Sequence, residues 1–158
     1  MMTITPFLWF DKQAEQAAKF YTSVFKRSKI LGIARYTKGT PGKVGSVMTV
    51  RFRILGQNFT ALNGGTAYKF NPAISLMVHC DTQKEIDYYW RRLSAGGKEV
   101  QCGWLVDKFG VSWQVVPNML MDLLTDDKPA RTERIMNAVM TMVKLDVGQL
   151  RRAAAGRK

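Results

Sequence analysis

The chain has 158 residues, of which 46% are hydrophobic and 11% aromatic, and it carries a formal net charge of +12 with a pI near 10.0. That length fits one ordinary domain or two small fused halves, and the apolar content suffices for a packed core, which excludes an intrinsically disordered chain. No apolar run approaches the roughly 18–20 residues of a membrane helix, and the N-terminus lacks a signal-peptide pattern. We therefore expect a soluble, cytoplasmic protein without a membrane partner.

The strong positive charge raises the question of nucleic acid, but the cations are scattered along the chain. They follow the first helix, alternate on one strand, end a second helix and form a basic tail: Lys26, Arg27, Lys29, Arg51, Arg53, Arg91, Arg92, Arg151, Arg152, Arg157 and Lys158. No helix-turn-helix, zinc-finger or aromatic-basic RNA-binding signature accompanies them. We expect a solvated basic surface and no specific nucleic-acid partner, with a nucleic-acid accessory role left open on charge alone.

In the first half of the chain, a short apolar strand at residues 7–10 precedes a helix. Six residues from Ala14 onward recur at the spacing of one helix face: Ala14, Ala17, Ala18, Tyr21, Val24 and Phe25. Asp11 is placed to cap the start of this helix. Alternating patterns then predict strands at residues 30–36, 46–54 and 58–62, with the last two antiparallel. The order is β-α-β-β-β.

The second half repeats this order after a bridge, Asn63-Gly64-Gly65, that is too flexible for a strand interior. A strand at residues 73–80 leads to a capping box of Thr82 and Glu85, and Gly96-Gly97 ends the helix that follows. Strands at 98–100, 103–106 and 111–116 complete the unit, the last two joined by a turn at 107–110. The fold class predicted is α+β, with two tandem β-α-β-β-β modules at residues 1–65 and 66–117.

Residues 118–158 form a helical extension with predicted helices at 119–124, 130–142 and 146–155. These methionine-rich helices have no obvious core left to cover within the two modules. We expect them to pack across a homodimer or over a sheet edge.

Several motifs resemble one known family over nearly the whole chain. They are Trp9-Phe10-Asp11, residues 14–21, 45–50, 59–65 and 70–75, Cys102-Gly103-Trp104-Leu105 and Asp107-Lys108-Phe109-Gly110-Val111-Ser112-Trp113-Gln114. Together with the module order, they resemble the PhnB-like branch of the vicinal oxygen chelate superfamily, which includes glyoxalase I, bleomycin-resistance proteins and dioxygenases. The resemblance implies one glyoxalase-like domain over residues 1–158, in which a curved mixed sheet surrounds a cavity.

This branch is often labelled 3-demethylubiquinone 3-methyltransferase-like. The sequence does not favour methyl transfer, because the usual S-adenosylmethionine site has a glycine-rich turn between a strand and a helix. Here Gly64-Gly65 joins two strands.

The resemblance also implies metal ligands on the first and last strands of each module. Matched by motif, the final carboxylate position falls on Gln114, and the other positions near Trp9, Asn63 and Ser75 offer no histidine or carboxylate. His79 is the only histidine, and its neighbour Cys80 points to the opposite strand face, so the two form no nucleophile pair. We predict no catalytic metal and no cofactor.

A binding cavity without metal remains. Alternation puts Ser75, Met77 and His79 on one strand face and Ser112, Gln114 and Val116 on another, and family analogy adds Trp9, Asn63 and Trp104. The predicted ligand-binding residues are Trp9, Asn63, Ser75, Met77, Trp104 and Gln114, with catalytic residues unknown and a small organic molecule as the ligand. Core packing of the tryptophans stays open.

Two further possibilities concern chemistry. A metal-dependent lyase, dioxygenase or isomerase is the main alternative, with Gln114, Asn63 or a residue of a partner chain supplying ligands. Cys80 and Cys102 lack metal-type spacing and are expected to be free thiols, although Cys102 could face the cavity.

Overall fold

The computed structural model describes residues 2–125 and 127–157; Met1, Asp126 and Lys158, the last residue of the predicted basic tail, lie outside the described residues. The chain forms two compact units, Met1–Phe70 and Asn71–Lys158. Within the described part of the chain, no helix has the length and apolar composition needed to cross a bilayer.

The first unit is a β-α-β-β-β module with one four-stranded mixed sheet. Its elements are β1 (Phe7–Phe10), α1 (Ala14–Val24), β2 (Lys29–Arg35), β3 (Val47–Ile54) and β4 (Gln57–Asn63). The strand order is β1-β4-β3-β2, with β1 parallel to β4 and the other two pairings antiparallel. The predicted antiparallel return at residues 58–62 is therefore confirmed.

The helix α1 forms where its apolar periodicity predicts. Its buried face carries Ala14, Ala17, Ala18, Tyr21 and Val24. This face packs against the alternate residues of the sheet that point towards it, which are also buried: Leu8, Phe10, Val50, Phe52, Phe59 and Ala61. The residues between them, such as Thr49 and Arg51, point to the face that α1 leaves open.

The predicted Asp11 cap of α1 is wrong. The N-cap residue is Gln13, which makes no capping bond with its side chain. Instead, the side chain of Asn63 at the end of β4 reaches the first turn, where its Oδ1 accepts a hydrogen bond from the Ala14 N–H at 2.8 Å. A cap supplied from 49 residues away cannot be read from local spacing, because only the parallel pairing of β1 with β4 brings it there.

The second unit repeats the module and adds three helices. Its elements are β5 (Leu76–Cys80), α2 (Gln83–Ser94), β6 (Lys98–Glu99), β7 (Trp104–Val106), β8 (Ser112–Pro117), α3 (Asn118–Leu124), α4 (Pro129–Met140) and α5 (Val147–Ala154). The strand order is β5-β8-β7-β6, with β5 parallel to β8. The predicted α+β class with two tandem β-α-β-β-β modules and C-terminal helices is confirmed.

Local signals around α2 are confirmed in detail. Thr82 Oγ1 accepts from the Glu85 N–H and the Glu85 carboxylate accepts from the Thr82 N–H, which completes the capping box. After the helix, Gly96 has φ +75°, the left-handed conformation expected of a C-terminal glycine. The strand β5 starts at Leu76 rather than at Ala73, because residues 72–74 form a turn in which Asn71 Oδ1 accepts from the Ala73 N–H at 2.9 Å.

The C-terminal helices correct the expectation that they have no core to cover. They enclose an apolar cluster of their own beside the end of β8: Val116, Leu120, Ile135, Val139, Met142, Leu145 and Leu150. The side chain of Gln83 links the start of α2 to the start of α5, since it accepts a hydrogen bond from the Val147 N–H and donates one to the Leu145 carbonyl. Met136 and Met140 stay exposed on α4, and the homodimer remains a prediction.

Candidate functional site

The open face of the second sheet brings four of the six predicted site residues together. Met77 on β5 pairs with Gln114 on β8, and Gln114 pairs in turn with Trp104 on β7, so the three side chains form one row across the sheet. The neighbouring positions, Val78 and Leu105 among them, are buried on the face that packs against α2. The row Met77–Gln114–Trp104 therefore lies on the side that α2 leaves free.

Gln114 is the polar centre of this row. It is half-buried, and its Nε2 donates to Ser75 Oγ at 2.9 Å. No donor among the described residues reaches its Oε1, which leaves one acceptor for a bound molecule. Met77 is 38% exposed and Trp104 is half-buried, so the amide sits between two apolar side chains. Such a mixture of apolar contact with one fixed polar group is typical of small-molecule sites.

Asp107 fixes the turn between β7 and β8 that carries Trp104 and Gln114. Its side chain is only 3% exposed. Oδ1 accepts from the N–H groups of Phe109 and Val111 at 2.8 and 3.1 Å, while Oδ2 accepts from Trp113 Nε1 at 2.8 Å.

The sequence indicated a turn at residues 107–110 but not this use of the carboxylate. An aspartate that opens a glycine-containing turn is a signal for side-chain bonds to the backbone. The bond to the indole six residues onward has no such local signal, since it depends on the hairpin register.

Trp9 belongs to the first sheet and is held by the glycine bridge. Its Nε1 donates to the Gly65 carbonyl at 2.8 Å, and its ring meets the Tyr68 ring edge-on at 5.0 Å between centroids. A Cβ at Gly64 would lie 2.3 Å from the indole, so only glycine allows this approach. Gly65 has φ +86°, which also favours glycine. The bridge thus fixes a tryptophan in addition to joining two strands.

Asn63 lies on the opposite face of the first sheet from Trp9, because Trp9 pairs with Leu62 while Asn63 pairs with Phe10. Its side chain is occupied: Oδ1 caps α1, and Nδ2 donates to the Val47 carbonyl at 3.1 Å. The Asn63 carbonyl accepts from the Tyr36 hydroxyl. The structure therefore places Trp9 and Asn63 on different faces rather than around one space.

A cleft of about 630 Å³ opens in the first unit at the start of α1. The turn before α1, the β2–β3 loop and the glycine bridge line it: Asp11, Lys12, Glu15, Gln16, Tyr36, Pro41, Gly42, Lys43, Ser46, Val47, Asn63, Gly64 and Gly65. Of the predicted site residues, only Asn63 takes part. Sequence reasoning missed this cleft, although glycine and proline between the predicted strands at 30–36 and 46–54 indicate the loop that forms one wall. The Glu15 pKa is lowered by a hydrogen bond from Lys19, by the charge of that lysine and by Arg35.

The residues present do not fit the divalent metal that the superfamily implies. Gln114 supplies a single neutral amide oxygen, which is a weaker ligand than a carboxylate, and Asn63 is committed to α1. In residues 2–125 and 127–157, no three side chains of His, Cys, Asp or Glu lie together as a metal site requires. His79 is exposed near the end of β5, paired with Val116. No step of a mechanism is therefore assigned to a metal held within one chain.

The two thiols differ in their surroundings. Cys80 is buried, and burial together with the nearby charges of Glu85 and Asp81 raises its pKa to about 12. His79 is exposed while Cys80 is buried, so the predicted opposition of these neighbours is confirmed. Cys102 is half-buried with φ +63°, and its Sγ lies 3.7 Å from Met140 Sδ.

Comparison with known proteins identifies the family. The sequence model described as 3-demethylubiquinone-9 3-methyltransferase matches residues 2–116, and no curated protein sequence matches the chain. A solved PhnB protein from Bacillus cereus is 39% identical, with a TM-score of 0.67 over 73% of this chain and 99% of its own. Residues 117–158, which hold the C-terminal helices, extend beyond the sequence match.

More distant structures share the fold alone. A protein from Pseudomonas aeruginosa is 19% identical, with a TM-score of 0.63 over 74% of this chain and 98% of its own. The fosfomycin resistance protein FosX from Listeria monocytogenes, solved with Mn(II) and sulfate, is 13% identical, with a TM-score of 0.53 over 72% of this chain and 89% of its own. The predicted PhnB-like resemblance and glyoxalase-like fold are confirmed: the chain belongs to the 3-demethylubiquinone-9 3-methyltransferase family of PhnB proteins.

Proposed function

We propose that this protein binds a small organic molecule on the open face of its second sheet, without a metal. The observation that carries the proposal is the row Met77–Gln114–Trp104, in which a half-buried amide is held by Ser75 between two apolar side chains. Gln114 Oε1 is the acceptor that orients a donor group of the ligand. Met77 and Trp104 supply apolar contact, and the flexible thioether adapts to the shape of the ligand.

Methyl transfer from S-adenosylmethionine is not favoured by the local geometry. The turns from β1 to α1 and from β5 to α2 consist of residues 11–13 and 81–82, and neither contains glycine. A nucleotide-type cofactor usually approaches the backbone at a glycine-rich turn of this kind. We therefore use the family name only for the relationship between the sequences and assign no reaction to this protein.

Substitution of Gln114 tests the proposal. Ligand-observed NMR with a library of small aromatic and carbonyl-containing compounds identifies binders of the wild-type protein. We expect Gln114→Leu to weaken the best binder by at least about tenfold, the effect of losing one oriented hydrogen bond in a partly buried site. Gln149→Leu, on the exposed surface of α5, is the matched control and should leave binding unchanged.

Two results would contradict the proposal. One is unchanged affinity of Gln114→Leu for every binder, which would place the ligand elsewhere. The other is a stoichiometric divalent metal in the purified protein by elemental analysis, combined with loss of that metal in Gln114→Leu. That pair of findings would favour the metal-dependent alternative, with ligands completed by a second chain.

A further inference from the structure

The open face of the first sheet concentrates positive charge that is scattered in the sequence. Arg51 and Arg53 alternate on β3 and point away from α1, as do their cross-strand neighbours. Lys29 on β2 pairs directly with Arg53, and Arg35 pairs with Val47 on the same face. The sheet register thus collects four of the 24 cations of the chain on one face.

The strand register places no acidic residue across from this cationic face (Lys29, Arg35, Arg51 and Arg53), although the Glu15 carboxylate on α1 interacts electrostatically with Arg35. The partners across β4 and β1 on the same face are Asn58, Thr60, Leu62, Phe7 and Trp9. Arg53 Nε donates to Asn58 Oδ1 at 2.8 Å, and Arg35 donates to the Gly45 carbonyl at 3.0 Å, both neutral acceptors. Among the described residues, no carboxylate forms an ion pair with any of the four.

Stability alone does not account for this arrangement. Like charges directly opposite each other on neighbouring strands, such as Lys29 and Arg53, are destabilising. Cations on an edge strand can protect it against pairing with another chain, and that accounts for Lys29 and Arg35 on β2. It does not account for Arg51 and Arg53, because β3 is paired on both sides. An anionic ligand would relieve the repulsion.

An exposed aromatic ring lies in the same row as Arg51. Phe7 on β1 pairs with Thr60 on β4, and Thr60 pairs with Arg51 on β3. The backbones of Phe7 and Arg51 are therefore two strand spacings apart, about 10 Å. Phe7 is 59% exposed. Opposite Arg51, Gly32 has no side chain and leaves open space above the sheet. The row therefore offers a stacking surface at one end and a planar cation at the other.

We propose that this face binds a small aromatic anion, with Arg51 holding a carboxylate or phosphate group and Phe7 stacking on the ring. Arginine pairs with both kinds of anion through two parallel hydrogen bonds, and aromatic faces attract planar rings. All residues that this proposal uses lie in the first unit, so their substitution leaves the residues of the Gln114 row unchanged and tests the site independently of the proposed function.

Titration calorimetry with phenyl phosphate, benzoate and inorganic phosphate tests this site. We expect phenyl phosphate or benzoate to bind more tightly than inorganic phosphate. Arg51→Gln should lower the affinity for the aromatic anion by about tenfold or more, because it removes one charge-assisted hydrogen-bonded pair. Phe7→Ala should weaken the aromatic anions but not inorganic phosphate. Arg91→Gln, an exposed charge change on α2, is the matched control.

Several outcomes would overturn the inference. An equal loss in Arg91→Gln would mean a general effect of net charge. Insensitivity of the aromatic anions to Phe7→Ala would remove the stacking contact, and absence of binding at millimolar concentration would remove the site. Binding of an eight-residue oligothymidylate at least about a hundredfold tighter than phenyl phosphate, with a steep salt dependence, would favour single-stranded nucleic acid instead.

Discussion

Asp107 offers the sharpest test of how the Gln114 row is held. Replacing it with alanine removes an acceptor that serves the N–H groups of Phe109 and Val111 and the indole of Trp113. Each bond to a charged group contributes ~1.5–3 kcal/mol, but backbone donors near a turn can regain water, so the three losses do not add fully. We expect Asp107→Ala to lower the free energy of unfolding by about 3–5 kcal/mol, a large part of the ~5–15 kcal/mol typical of a domain.

Urea denaturation followed by circular dichroism measures this loss, with Asp122→Ala on the exposed side of α3 as the control. Asp107→Asn is more specific, since its amide can place a donor against the indole donor. In a Trp113→Phe background that conflict is absent, and the cost of Asp107→Asn should fall by ~1 kcal/mol or more. A loss below about 1 kcal/mol in Asp107→Ala, or no coupling between the two positions, would refute the reasoning.

Two further predictions follow from single residues. Gly64→Ala should lower the free energy of unfolding by ~1–3 kcal/mol and shift the tryptophan fluorescence, because the added Cβ meets the Trp9 ring. Gly32→Ala is the control and should change neither quantity, because the space at that position is open. Cys80, with its pKa raised to about 12, should react with iodoacetamide at pH 8 about a thousandfold more slowly than a free thiol, since so little thiolate is present. Its raised pKa leaves stability unaffected below the pKa of a free thiol and lowers it as pH rises from there towards 12. Rapid labelling of Cys80 in the native protein by peptide mass spectrometry would contradict the reactivity prediction.

Local patterns predicted most of the fold. The spacing from Ala14 to Val24, the Thr82–Glu85 capping box and the alternation in residues 47–54 each specify an element through contacts within a few residues, and all three are present. The cap of α1 by Asn63 and the core of the C-terminal helices were not predictable in this way. Both depend on contacts that only the tertiary fold creates.

The candidate site shows the same limit. Strand alternation assigned Met77 and Gln114 to one face each of their own strands, because a side-chain period of two is a local property, whereas Ser75 lies just before β5 and reaches Gln114 through a hydrogen bond. The order of the strands in a sheet is not a local property. The register alone therefore shows that Trp104 joins the row of Gln114, and that Lys29 lies on the same sheet face as Arg51. Asn63 was grouped with Trp9 by analogy, and the parallel pairing of their strands places the two on opposite faces.

A crystallographic fragment screen tests the central claim most directly. The protein is soaked with the compounds that ligand-observed NMR identifies, and the position of the bound molecule is read from the density. The account predicts a fragment over the row Met77–Gln114–Trp104, with a donor group within hydrogen-bond distance of Gln114 Oε1. Fragments found only in the cleft beside Tyr36, with the Gln114 row empty, would contradict it.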